Sequence, residues 1–170
     1  MKVYVVADTH FGHANVLRYE SRPFPDVEKM DVGMAFGWNN VVGKDDIVYH
    51  LGDFCMGPAA QIVPYRARLN GRIFLVKGNH DSRKDRVYFE AGFERVYDKS
   101  ILVDGCILSH APIYSDPNAP HDFVNIHGHV HGNPAFPTIA RHSRCVSVER
   151  TGYVPMRFEL VKAEVAEFAG

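Results

Sequence analysis

The sequence has few cysteines, no excess of either charge and no long apolar run. Cys55, Cys106 and Cys145 are widely spaced and form no C-x-x-C pair. This disfavours a disulfide framework and a zinc ribbon or finger. Free thiols in a cytoplasmic setting are expected, and none has a neighbour in sequence that would activate it as a nucleophile. Lys+Arg number 19 against 20 Asp+Glu, a net charge of −1. The basic footprint of a dedicated nucleic-acid binder is therefore missing, while a small anionic substrate stays open. No apolar run approaches the roughly 18 residues that cross a bilayer, so no membrane association is expected. The run Val3 to Ala7 meets Asp8-Thr9-His10 after five residues, too soon for a signal segment, and reads as a buried first strand.

Histidine is plentiful, with ten copies in 170 residues. Scattered, they would mean little, so their placement along the chain matters. Strand-like runs are expected at Lys2–Ala7, Ile47–Leu51 and Arg72–Val76. Helices are expected at Asn15–Glu20, at Asp26–Val42 with Asp26 as N-cap, at Pro58–Leu69 despite Pro64, and at Ser82–Ala91 with Ser82 as N-cap. After Phe93 the pattern becomes β-rich: Arg95–Tyr97, Ser100–Val103, Cys106–Ser109, Phe123–Ile126, Cys145–Val148 and Met156–Leu160. Loops are expected at Pro112–Asp122 and over most of Gly132–Ser143. This βαβα half followed by a β half suggests two packed sheets with helices outside, in one domain spanning residues 1–170.

Five of the β-type runs end in a polar cluster. They close on Asp8-Thr9-His10, on His50-Leu51-Gly52-Asp53, on Gly78-Asn79-His80-Asp81, on His110, and on His127-Gly128-His129-Val130-His131. Ligands of open α/β sheets bind beyond the carboxyl ends of strands, so these clusters would converge on one cleft. Carboxylate, amide oxygen and imidazole without thiolate suit Mn, Fe or Zn. Asp8 and His10 are two residues apart, as are His129 and His131, so each pair can present both side chains to one side of an extended segment.

The ordered motifs D-x-H, G-D, G-N-H-D, a lone His after a strand, and G-H-x-H resemble the calcineurin-like metallophosphoesterases, over Lys2 to about Glu149. The resemblance implies a four-layer α/β/β/α sandwich with two mixed β-sheets flanked by helices. It implies two divalent metal ions, Mn2+ first, with Fe, Zn or Ni as alternatives. Asp8, His10 and His131 would bind one ion, and Asn79, His110 and His129 the other. Asp53 would bridge the two ions. His80 would stand near the leaving group, with Asp81 as its orienting partner, and a metal-bridging hydroxide would attack phosphorus. His13 and Asn15 follow the first motif and are candidates to face the substrate. His50 and His127 read as supporting residues, His121 and His142 as loop residues, and Trp38 as core.

After Asp53 the chain reads Phe54-Cys55-Met56-Gly57, without the G-D-x-x-D-R-G of the eukaryotic-type protein phosphatases. It resembles instead the compact bacterial and phage-type branch. There it departs at Cys145, where many relatives place Asn ahead of the V-S-V stretch. The expected substrate is a small phosphodiester of nucleotide type. A phosphomonoesterase, a nuclease within a larger complex and a nonhydrolytic scaffold are the alternatives. The sequence leaves the oligomeric state open.

Overall fold

In the computed structural model, which describes residues 1–113 and 123–169, the first strand explains the architecture. Strand β1 (Val3–Val6) sends alternate side chains into two different cores. Tyr4 and Val6 meet Met30, Met34 and Trp38 from a helix. Val5 and Ala7 meet Cys106, Leu108, Ile126 and Val146 from a second sheet. A strand covered on both faces must be apolar throughout, which is why Val-Tyr-Val-Val-Ala shows no polar alternation.

The first sheet has β2 (Ile47–His50), β3 (Arg72–Val76) and β4 (Arg95–Tyr97) in parallel beside β1, with β10 (Met156–Arg157) antiparallel on its other edge. The second runs β5–β6–β7–β9–β8 (Ile101–Val103, Cys106–Ser109, Val124–His127, Ser143–Cys145, Ile139–Ala140), parallel in the middle and antiparallel at both edges. The helices are α1 (Val16–Tyr19), α2 (Val27–Val41), α3 (Ile62–Ala67), α4 (Asp85–Glu90), α5 (Val148–Thr151) and α6 (Phe158–Ala169). α1 to α4 contribute Val16, Met30, Ile62 and Tyr88 to the core on the outer face of the first sheet. α6 packs against β1, β10, β8 and β9 and so spans both sheets. Two mixed sheets flanked by helices are the expected fold. No helix of the described residues is long and apolar enough to cross a membrane.

Several elements differ from the sequence expectation for local reasons. Asp26 caps α2 as expected, its carboxylate accepting the Lys29 N–H at 2.7 Å. The segment 58–69 instead breaks into a 3-10 turn at Ala59–Gln61 and the short α3. Pro64 sits in the first turn of α3, where an N–H lacks an intrahelical partner anyway. α4 starts after Lys84 rather than at Ser82. The run Cys145–Val148 is divided, Cys145 ending β9 and Val148 opening α5. Strand character at Met156 ends at Arg157, and α6 follows, burying Phe158, Val161 and Val165 at helical spacing. The loop expected at Gly132–Ser143 contains the two-residue β8. Much of the loop expected at Pro112–Asp122, with His121, lies outside the described residues.

The strand register positions the site. Val6 pairs with His50 and His50 with Leu75, while Ser109 pairs with His127 and His127 with Cys145. The carboxyl ends within each sheet therefore stop level. Beyond them the loops stay hydrogen-bonded: Asp8 N–H to Gly52 O at 3.0 Å, His10 N–H to Asp53 O at 3.0 Å, and Gly128 N–H to His110 O at 2.8 Å. Ala7 N–H to Val146 O, at 3.0 Å, ties the two sheets together there.

Candidate metal centre

Five residues at these strand ends hold left-handed backbone: Asp8 (φ 59°), His10 (49°), Asp53 (56°), His129 (71°) and His131 (47°). Non-glycine residues seldom adopt this region, and such strain clusters where surrounding structure enforces it at functional sites. The loops also approach each other with no room for a side chain. Gly52 has φ +93°, and an added Cβ would lie 2.5 Å from both Gly78 N and His110 Nδ1. Gly128 is likewise pressed against Ala7 and Asp8. Gly52→Ala is expected to cost about 3 kcal/mol, as left-handed strain plus overpacking. A denaturant midpoint unchanged from wild type would contradict that.

The side chains form two groups. Asp8 Oδ1 lies 4.0 Å from His131 Nε2, and Asp8, His10 and His131 each offer a ligand atom within 4.8 Å of the others'. In the second group, His110 Nε2 is 2.8 Å from Asn79 Oδ1, and His129 Nδ1 is 3.1 Å from both. Asp53 Oδ2 lies between the groups, 3.5 Å from His10 Nε2 and 3.6 Å from His110 Nε2. The His110 Nδ1–H donates to Leu51 O at 2.8 Å, which leaves Nε2 as a bare donor atom facing Asn79 and Asp53. Asp8 Oδ1 and both ring nitrogens of His10 are buried without a hydrogen-bond partner. Buried polar atoms are seldom left unpaired, and a cation between these side chains would satisfy Asp8 Oδ1 and one nitrogen of the His10 ring. The donor set therefore fits two divalent ions.

Without an ion, the site's charges are set by burial and by one another, and the proton that the carboxylates hold on His131 is one a cation would displace. Burial raises the Asp8 carboxyl to about 6, against the pull of His131, His110 and the Ser147 hydroxyl. Burial drives His10 far below the ordinary imidazole range, which keeps it neutral, as a metal ligand must be. For His131, burial is outweighed by the hydrogen bond from its ring to Glu149 and by the nearby carboxylates of Asp8, Glu149 and Glu20, which carry it to about 9. Burial pushes the Cys55 thiol to about 12, so it is no reactive thiolate.

The remaining expected residues fall as follows. The His80 ring is 40% exposed, with Nε2 4.0 Å from Asp53 Oδ2. Asp81, expected to orient His80, does something else. Its carboxylate accepts the N–H groups of Asp53 (2.6 Å), Gly78 (2.9 Å) and Phe54 (3.3 Å), so it fixes the loop that carries Asp53. His13 lies beside the site, its ring centroid 5.4 Å from that of His10, with a buried and unpartnered Nδ1. Asn15 is exposed at the start of α1. His50 is buried against Trp38 and bonded to the Thr9 hydroxyl at 3.0 Å, and His127 Nδ1 faces Gly128 O at 2.9 Å. Trp38 is core, its indole N–H donating to Asn70 O at 2.9 Å. Cys145 is a buried free thiol 3.2 Å from the Ser147 hydroxyl.

Sequence reasoning missed four residues that hold the site in place. The Ser147 hydroxyl donates to Asp8 Oδ2 at 2.6 Å, leaving Oδ1 to face the cleft. Asp31, buried on α2, accepts the Gly12 N–H at 3.0 Å, fixing the turn before His13. Arg22 and Glu149 form a buried pair beneath Asp8, Thr9 and His131. The only signal for them in the sequence was their nearness to motifs, because each acts across a long stretch of chain.

Asp, Asn and His donors gathered at the carboxyl edge of two packed mixed sheets define a metal-dependent phosphoester hydrolase. The chain belongs to the calcineurin-like phosphoesterase family, whose pattern matches residues 1–162. It is 38% identical to the uncharacterized protein MJ1445 of Methanocaldococcus jannaschii over 168 residues, covering 94% of this chain and 89% of that one. Among solved structures it resembles AQ665 of Aquifex aeolicus, a protein of unknown function, with a TM-score of 0.71, 26% identity, and 96% and 98% of the two chains covered. It shares its fold with the nuclease MPE of Pseudomonas putida at a TM-score of 0.53 and 22% identity, over 76% of this chain and 61% of that one.

Proposed function

We propose that this chain is a dinuclear metal-dependent phosphodiesterase acting on a small, nucleotide-type diester. The observation that carries the reading is the Asp53 carboxylate, placed between Asp8 and His10, which bury atoms without partners, and the Asn79–His110–His129 group, whose facing atoms crowd within 3.1 Å of one another. Asp8, His10 and His131 would hold one ion, Asn79, His110 and His129 the other, and Asp53 both. When bound, two such ions polarise the phosphoryl oxygens and lower the pKa of water towards neutrality. Mn2+ is the first candidate, with Fe, Zn or Ni as alternatives, since these ligands accept them all and availability decides. The three free cysteines suit a cytoplasmic setting.

The chain's own residues do the rest. Asp81 holds the Asp53 loop and Ser147 turns Asp8 towards the cleft. His80, exposed at the rim, would give a proton to the leaving oxygen. His13 stands where it could meet a phosphoryl oxygen, with Asn15 further out. His80→Ala is expected to slow hydrolysis of an alkyl ester by about 10²–10⁴-fold. A p-nitrophenyl ester, whose leaving group needs no proton, should lose far less. Equal losses on both would remove His80 from the role of acid.

A diester is favoured because clefts open on two sides of the centre. One, of 210 Å³, is lined by Asn79, His80, Ser82 and Arg83. The other, of 390 Å³, is lined by Glu20, His129, His131, Asn133 and Phe136. Each arm of a diester has somewhere to lie, whereas a monoester fills only one. One protein of this fold is a nuclease, but the net charge of −1 gives little counterion release to hold a long polymer. The test is a matrix of Mn, Fe, Zn, Ni and Mg against a monoester, a linear diester and 2′,3′- and 3′,5′-cyclic nucleotides. Higher kcat/KM on a diester supports the reading. Preference for the monoester turns it to phosphomonoesterase, and no turnover under any condition turns it to a scaffold.

A further inference from the structure

We propose that the buried Arg22–Glu149 pair is a positioning device for one half of the centre, so that its loss weakens ion binding at Asp8, His10 and His131 and spares Asn79, His110 and His129. The inference rests on the dinuclear reading above and extends it to two residues that take no part in ligation.

The two halves are supported differently. In the second group, the ring of His110 is held through Nδ1 by a backbone carbonyl, that of Leu51. In the first, the His131 Nδ1–H faces a carboxylate, Glu149 Oε1, at 3.2 Å, while its Nε2 turns towards Asp8. A carboxylate behind an imidazole fixes the tautomer, orients the ring and makes the free nitrogen a stronger donor than a carbonyl does. Arg150 fixes the same residue from its backbone, Nε donating to His131 O at 2.7 Å.

A carboxylate buried this deeply, with its side chain 6% exposed, needs a countercharge, and Arg22 supplies it with a side chain that is wholly buried. Arg22 Nε and Nη2 reach Glu149 Oε1 at 2.9 and 2.7 Å. The guanidinium has further donors, and they go to the strained turn itself: Nη1 to Thr9 O at 2.8 Å and Nη2 to Asp8 O at 2.7 Å. One cation therefore anchors the Asp8–His10 turn, through its carbonyls, and the His131 ring, through Glu149. No comparable buried pair lies beneath Asn79 and His129 among the described residues. Glu20, Glu149 and His131 also offer three ligand atoms within 4.8 Å of one another. Arg22 supplies the countercharge at Glu149 Oε1, the oxygen that also faces the His131 ring, while Oε2 is buried without a partner among the described residues; the bonds at Oε1 are those of a positioning role.

The test is titration of the metal-stripped protein with Co2+, following its visible absorption and the heat of binding. Wild type should take up two ions per chain. Glu149→Gln should weaken one of the two by about 10–100-fold and leave the other within about twofold. Because Gln leaves Arg22 buried without its countercharge, Glu149→Asp is the companion variant. It keeps the charge beside Arg22 but withdraws it from the ring by one methylene, so the metal-stripped protein should stay folded with a smaller loss of melting temperature than Glu149→Gln and still lose affinity for the same ion. Two unchanged affinities in a folded Glu149→Asp protein, or an equal loss at both, would overturn the proposal. Wild type that takes up no ion would instead overturn the dinuclear reading beneath it.

Discussion

Asp53→Asn is expected to abolish most turnover, by at least about 10²–10³-fold, and to lower the number of bound ions. The substitution is nearly isosteric, so its effect isolates charge. Asp53 Oδ1 accepts the His80 N–H at 2.9 Å, and an amide oxygen could keep that bond. The missing capacity is that of Oδ2, which faces His10 on one side and His110 on the other. An amide carries no negative charge to share between two cations, and its NH2 would turn donors towards them. Metal content by elemental analysis and kcat on a diester check the two halves of the prediction separately. Full activity with two ions bound would contradict it.

Stripping the metal should remove activity and also destabilise the fold. The strand ends hold five non-glycine residues at positive φ and bury Asp8 Oδ1 and the His10 ring without partners. Bound ions would satisfy Asp8 Oδ1 and one His10 nitrogen and so offset part of this cost. Binding only to the native state stabilises it by about 2.7–4.1 kcal/mol per site at 100 to 1,000 times Kd. For a chain of 170 residues each site is then worth about 5–15 °C in Tm. Differential scanning calorimetry with chelator, and then with excess Mn2+, reads this directly. Activity should return along the same concentration curve as Tm. Equal melting temperatures with and without metal would mean that the strain is borne by the protein alone.

The candidate metal-binding residues were legible because they cluster where apolar runs end, and a change from Val or Leu to Asp, Asn or His is visible there in the sequence. Asp8, Asp53, Asn79 and His110 are such cases. Neighbourhood in sequence did not reveal what Asp81 holds: it follows His80, and its carboxylate accepts the N–H groups of Gly78, Asp53 and Phe54. Arg22 and Glu149 were illegible for the opposite reason: they are 127 residues apart and meet only when the sheets close. The C-terminal helix was lost to a short-range ambiguity. Met156 and Arg157 do pair as a strand, and the helical spacing of Phe158, Val161 and Val165 begins at the next residue.

In the dinuclear reading proposed above, one carboxylate, Asp53, serves two ions at this edge of the two sheets. Anomalous diffraction from crystals grown with Mn2+ tests it most directly. Two anomalous peaks are expected flanking the Asp53 carboxylate, one beside Asp8, His10 and His131 and the other beside Asn79, His110 and His129. A single peak at saturating Mn2+ in active protein, or two peaks that do not share Asp53, would contradict it.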